Sequence, residues 1–88
     1  MRDRAKLMHN AGPKVWIVED EAAIGLLLQY NLEAEGYDVR VIERGDDAEI
    51  ALQEEQPDLL LLDWMLPGLS GIELCRRLRE RSESRDLP

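Results

Sequence analysis

Three carboxylates stand where two apolar runs give out. Glu19 and Asp20 follow Lys14-Val15-Trp16-Ile17-Val18, and Asp63 follows Leu59-Leu60-Leu61-Leu62. Short unbroken apolar runs suit strands covered on both faces, as in a parallel sheet with helices above and below. In open α/β sheets, ligands bind in the crevice beyond the carboxyl ends of the strands. If the two runs are neighbouring strands, about 4.8 Å apart, the three carboxylates share one small site and repel one another. A bound divalent cation resolves that repulsion. Magnesium takes oxygen ligands and is commonly held by one or two carboxylates plus a substrate phosphate, whereas zinc prefers cysteine and histidine, absent from this neighbourhood. An aspartate carboxylate can act as a nucleophile, and a metal neutralises the charge of a phosphoryl group in transfer. The indicated chemistry is magnesium-assisted phosphoryl transfer with Asp63 as first candidate. A solvated aspartate that only closes a strand is the competing reading.

The remaining elements must bring these carboxylates together. Ala22 to Glu35 reads as a helix, with Ile24, Leu27, Leu28 and Leu32 on one face and Gly36 as the left-handed residue after its last turn. Tyr37 to Ile42 alternates, Val39 and Val41 against Asp38 and Arg40, which suits a sheet edge. That edge character leaves strands one and three side by side. Asp46 with Glu49 resembles a capping box opening a second helix, with Ala48, Ala51 and Leu52 inward, and Pro57 ends it. Pro67-Gly68 turns the chain after Asp63. Ser70 and Glu73 form a second capping box, so Gly71 to Arg81 is a third helix, with Leu74 and Leu78 inward beside Cys75 or Ile72. Arg76, Arg77, Arg79 and Arg81 read as a solvated face, with an acidic partner as the alternative. The order β-α-β-α-β-α with right-handed crossovers is a parallel sheet with helices on both faces.

The 88 residues make one small domain at most, and an apolar fraction of 44% is ordinary for a folded chain. The net charge of −8 concentrates in the middle: fourteen acids and two arginines lie between Val15 and Asp63. Such a segment repels phosphate backbones, which excludes direct nucleic-acid binding by it and favours cations. Residues 1–13 carry no apolar period and read as a flexible tail, in which His9 is solvated rather than a ligand or a phosphate carrier. Cys75 is the only cysteine, which fits a reducing compartment such as the cytoplasm. No run is long enough to span a membrane, and no secretory signal is visible.

Val-Trp-Ile-Val-Glu-Asp-Glu, the helix end Tyr30-Asn31-Leu32-Glu33-Ala34-Glu35-Gly36-Tyr37, and Leu-Leu-Asp-Trp-Met-Leu-Pro-Gly-Leu-Ser-Gly-Ile-Glu-Leu-Cys resemble the receiver domain of two-component response regulators, nearest to those of the winged-helix transcriptional class. The resemblance runs from Lys14 to Pro88. It implies a flavodoxin-like receiver fold, α/β, with parallel sheet order 2-1-3 continuing to strands 4 and 5. It implies that Asp63 accepts a phosphoryl group from a histidine kinase, to control transcription. It also implies that Glu19, Asp20 and Asp63 hold Mg2+, with the Met65 backbone carbonyl as a further ligand. A Thr or Ser ending strand 4 and a Lys on strand 5 belong to the same pattern. Both positions fall beyond Pro88, so residues 14–88 are expected to be a partial receiver with strands 4 and 5 missing. Such a module signals without turning over a substrate.

Two other functions compete. A haloacid-dehalogenase-like phosphohydrolase needs a second aspartate two residues after the first, where this chain has Met65. A binding fragment with a vestigial site would act through its exposed strand edge or its arginine helix. With no fourth strand beside it, strand three is an apolar edge and a template for another chain, so self-association through it is expected.

Overall fold

The computed structural model describes residues 12–88. The expected tail, apart from Gly12 and Pro13, lies outside the described residues, and so does His9. Pro13 is already tied into the sheet, its carbonyl accepting from the Asp38 amide at 2.8 Å.

β1 (Lys14–Val18) is the central strand. Its four apolar residues, Val15 to Val18, are all buried, which requires cover on both faces and a neighbour on each side. β2 (Asp38–Ile42) and β3 (Leu59–Leu62) supply the neighbours in parallel, giving the order β2-β1-β3. This is the expected order. The registers are continuous: Val18 pairs with Ile42 on one side and with Leu62 on the other. Arg40, read as an outward residue of an edge strand, stands beside Trp16 and lays its guanidinium 4.8 Å from the indole centroid.

The helices are α1 (Ala22–Ala34), α2 (Gly45–Glu54) and α3 (Gly71–Glu80). α2 and α3 close one face over Trp16, Val18, Ile42, Leu60 and Leu62, with Ala48, Ala51, Leu52, Leu74 and Leu78 filling the space between. α1 covers the opposite face over β1 and β2 and ends at Gly36 with φ +97°.

Several expected details are corrected. α1 does not bury Ile24 or Leu27, which are 43% and 61% exposed, while Leu28 and Leu32 are half-buried. The helix rests on Gly25, its one buried residue, where an added Cβ would lie 3.0 Å from Val41 Cγ1. That close seat over β2 turns the larger side chains aside. α2 starts two residues earlier than a capping box at Asp46 requires. Arg44 is its N-cap without a side-chain cap, and Asp46 instead accepts from the Arg44 guanidinium at 3.0 Å and from the Asp47 amide. Beside Leu74 and Leu78, both Cys75 and Ile72 are exposed. The four leucines of β3 are not fully covered. Leu59 is 37% exposed and the others are half-buried, because α1 sits over β2 and β1 and no strand lies beyond β3 among the described residues.

Candidate functional site

The site follows from the register. Since Val18 pairs with Leu62, the next residues, Glu19 and Asp63, leave the sheet side by side. Backbone bonds hold both exits: the Asp63 amide donates to the Val18 carbonyl at 3.1 Å and the Glu19 amide to the Ile42 carbonyl at 3.0 Å. One carboxylate oxygen each from Glu19, Asp20 and Asp63 lies within 4.8 Å of the others. Glu19 and Asp63 are half-buried and Asp20 is exposed. Glu19 Oε2 also accepts from the Glu21 amide at 3.1 Å, which fixes its direction at the start of α1. The structure therefore brings together the three carboxylates that the sequence singled out. Met65 lies two residues past Asp63 in the same loop with its thioether in solvent.

The donor set is three hard carboxylate oxygens, with no imidazole or thiolate in the cluster. It fits a magnesium-like cation and not a softer metal.

The loop after Asp63 is pinned at several points. The Gly71 amide donates to the Trp64 carbonyl at 2.9 Å, and the Gly45 amide to the Pro67 carbonyl at 3.1 Å. Ser70 caps α3 by accepting from the Glu73 amide at 3.2 Å, the expected half of the capping box. The Glu73 carboxylate does not reach back; it bonds Arg76 and Arg77. Arg76, with Arg77 beside it, holds the Glu73 carboxyl down to about 2. Gly71 is needed for proximity: a Cβ there would lie 1.8 Å from the Asp63 carbonyl oxygen. Sequence reading missed this contact; the glycine after a capping serine was its only signal.

The arginines of α3 are more committed than a solvated face implies. Arg77 and Arg81 converge on Glu49 of α2 at 2.9 and 3.4 Å, joining the two helices. Arg76 pairs with Glu73 and Glu80, and Arg79 donates to two backbone carbonyls past the helix end. The Glu49 partners lie 28 and 32 residues away in sequence, beyond the reach of local pattern.

The chain matches the family described as the response regulator receiver domain over residues 15–88. It is 68% identical over 76 residues to the phosphate regulon transcriptional regulatory protein PhoB of Rhizobium meliloti, an alignment covering 86% of this chain and 34% of that protein. A response regulator structure from Chloroflexus aurantiacus superposes with a TM-score of 0.85 at 32% identity, covering 88% of this chain and 63% of the other. The receiver domain of the sensor histidine kinase PA1611 from Pseudomonas aeruginosa, solved with a magnesium ion coordinated in its active-site cleft, gives a TM-score of 0.83 at 27% identity, covering 88% and 62%. The chain thus spans about a third of the length of that curated relative and less than two thirds of these solved chains. With a family match over nearly its whole length and the acidic cluster at the carboxyl ends of β1 and β3, this chain belongs to the response regulator receiver domain family.

Proposed function

We propose that the chain is the phosphoacceptor segment of a two-component signalling receiver that acts in the cytoplasm on transcription. Asp63 is its acceptor, a histidine kinase its donor, and Mg2+ its cofactor. The observation that carries this reading is the convergence of Glu19, Asp20 and Asp63 within 4.8 Å at the carboxyl end of the sheet. One Asp63 carboxylate oxygen attacks the phosphorus of a phosphohistidine. The P–N bond breaks as the P–O bond forms, and the imidazole leaves with the electron pair and takes a proton. Bound Mg2+ supplies charge neutralisation for the incoming phosphoryl oxygens. Glu19, Asp20, Asp63 and the Met65 main-chain carbonyl are its proposed ligands. The chain's own contribution is positioning: the β1–β3 register sets the carboxylates side by side, and the Gly71 contact fixes the backbone of Asp63. The module does not turn over a substrate. Its net charge of −8 supports the reading that DNA contact belongs to another segment.

Self-association is a second element of the proposal. An apolar groove of about 450 Å³, lined by Leu62, Trp64, Ile72 and Cys75 among others, opens beside the carboxyl end of β3. Trp64 and Ile72 stand 69% and 58% exposed on its rim. A second copy docking there would cover them.

A magnesium titration tests the metal site. Trp64 is exposed next to Asp63, while Trp16 is 3% exposed in the core, so Trp64 carries the fluorescence response. Wild type is expected to respond and Asp63→Asn to respond far more weakly. An identical response in both removes Asp63 from the site.

A further inference from the structure

The loop between β3 and α3 carries Asp63 and the proposed Met65 ligand, and two helices hold it. The start of α3 lies on Asp63 through the close approach of Gly71. The start of α2 lies on the middle of the loop: the Gly45 amide donates to the Pro67 carbonyl at 3.1 Å, and a Cβ on Gly45 would lie 1.8 Å from the Leu69 carbonyl oxygen. The spacing of the two helix starts therefore sets the shape of the loop. Farther along the helix pair, charge fixes that spacing. Arg77 Nη1 of α3 donates to both carboxylate oxygens of Glu49 in α2, at 2.9 and 3.1 Å, and Arg81 Nη2 donates to one of them at 3.4 Å. One turn along α2, the Gln53 amide oxygen accepts from Arg81 at 3.1 and 3.2 Å in the orientation that satisfies its amide. The Glu49 side chain is only 16% exposed, so its charge is partly withdrawn from water and needs these partners. The apolar contact beneath, through Ala48, Ala51, Leu74 and Leu78, is non-directional. The paired charges are what fix one helix along the other.

We propose that Glu49 is a positioning residue for the acidic site. Its carboxylate, held by Arg77 and Arg81, latches α3 to α2, and the latch fixes the loop that sets Asp63 and the Met65 carbonyl against Glu19 and Asp20. Glu49 is not among the proposed ligands and acts through the loop alone. The role rests on the magnesium and phosphoacceptor reading above. Opening the latch lets the helix starts part, so the site loses its geometry although every ligand is still present.

Magnesium titration read by Trp64 fluorescence, with amide exchange by NMR on the metal-free 88-residue chain, tests the latch. The double variant Arg77→Ala, Arg81→Ala removes two positive charges, and Coulomb attraction alone then makes Mg2+ bind more tightly. The latch predicts the opposite sign: binding about 3–10-fold weaker, the modest size expected of partly exposed ion pairs. The Gly71 and Gly45 amides are expected to exchange faster by a similar factor, with Ile17 of β1 unchanged. Glu49→Ala is expected to act alike, and Glu49→Gln, which still accepts from an arginine, to fall between. Glu80→Ala breaks an ion pair inside α3 and is expected to leave Gly71 exchange at its wild-type rate. Tighter or unchanged Mg2+ binding in the double variant, or wild-type protection of Gly71 in it, overturns the latch. If that variant also loses Ile17 protection, Glu49→Gln decides by the same two readouts. If wild type binds no Mg2+ or takes no label from acetyl phosphate, the phosphoacceptor reading fails, and Gly71 exchange alone decides the latch.

Discussion

Replacing Gly71 with alanine places a methyl carbon 1.8 Å from the Asp63 carbonyl oxygen and 3.1 Å from Trp64 Cα. Ordinary carbon–oxygen contact needs about 3.4 Å, so the start of α3 and the exit of β3 must separate by about 1.6 Å. Both neighbours are backbone, and neither swings aside as a flexible side chain would. The 2.9 Å bond from the Gly71 amide to the Trp64 carbonyl breaks in the process. Overpacking costs about 1–3 kcal/mol, and the hydrogen bond adds about 1 kcal/mol. Together they lower Tm by roughly 10–30 °C at about 4–8 °C per kcal/mol for a domain of this size. The sign is what makes the test sharp. Without the close approach, glycine to alanine stabilises by about 0.4–1 kcal/mol, through the entropy of the unfolded chain. The same displacement moves Asp63 relative to Glu19 and Asp20. A misplacement of about 1 Å costs on the order of 10²-fold in reactivity, so acetyl phosphate labelling falls along with stability. Thermal unfolding by circular dichroism and labelling followed by intact mass read both effects. A Tm equal to or above that of wild type, with unchanged labelling, refutes the close-approach argument.

Ser70→Ala removes the hydroxyl that caps α3 and is expected to destabilise by about 1 kcal/mol, read as a lower urea midpoint at constant slope; an unchanged midpoint shows that the cap contributes nothing. The depressed carboxyl of Glu73 gives a pH dependence. Its folded value, about 2 against an ordinary 4.5, lies below the unfolded one, so its contribution is complete above about pH 4.5 and disappears as pH falls toward 2. Glu73→Gln is expected to flatten that part of the stability curve and leave it unchanged near neutrality. A wild-type curve already steep between pH 7 and 5 and flattened by Glu73→Gln contradicts the assignment.

The sheet was legible because its signals are local. The runs Lys14 to Val18 and Leu59 to Leu62 announce buried strands by composition, and the alternation after Tyr37 announces an edge. Those three facts fix the order β2-β1-β3 and with it the meeting of Glu19, Asp20 and Asp63. Helix faces were less legible. The spacing of Ile24 and Leu27 matches a buried stripe, but which stripe is buried depends on where α1 rests, and Gly25 against Val41 decides that. Asp46 and Glu49 have capping-box spacing, yet Gly45 already lies in the first turn, and Glu49 is drawn to Arg77 and Arg81 of the neighbouring helix. The polar stretch Ser82 to Asp86 shows no periodicity. Its placement rests on Arg79 and Ser84 bonding to carbonyls, contacts with no side-chain pattern to announce them.

The central claim, that Asp63 is a phosphoacceptor, is tested most directly by exposing the 88-residue chain to phosphoramidate with magnesium and following intact mass. One phosphoryl-sized increment, labile to hydroxylamine as an acyl phosphate is, mapping to Asp63 and absent from Asp63→Asn, is the expected result. Residues 64–88 contain no lysine to supply the ammonium that the family pattern places beside the phosphoryl group. Removing one positioned donor of this kind costs about 10²–10³ in rate, so labelling is expected to be slow beside that of a receiver carrying one. An equal increment in Asp63→Asn, or no increment in wild type at saturating donor and magnesium, contradicts the account.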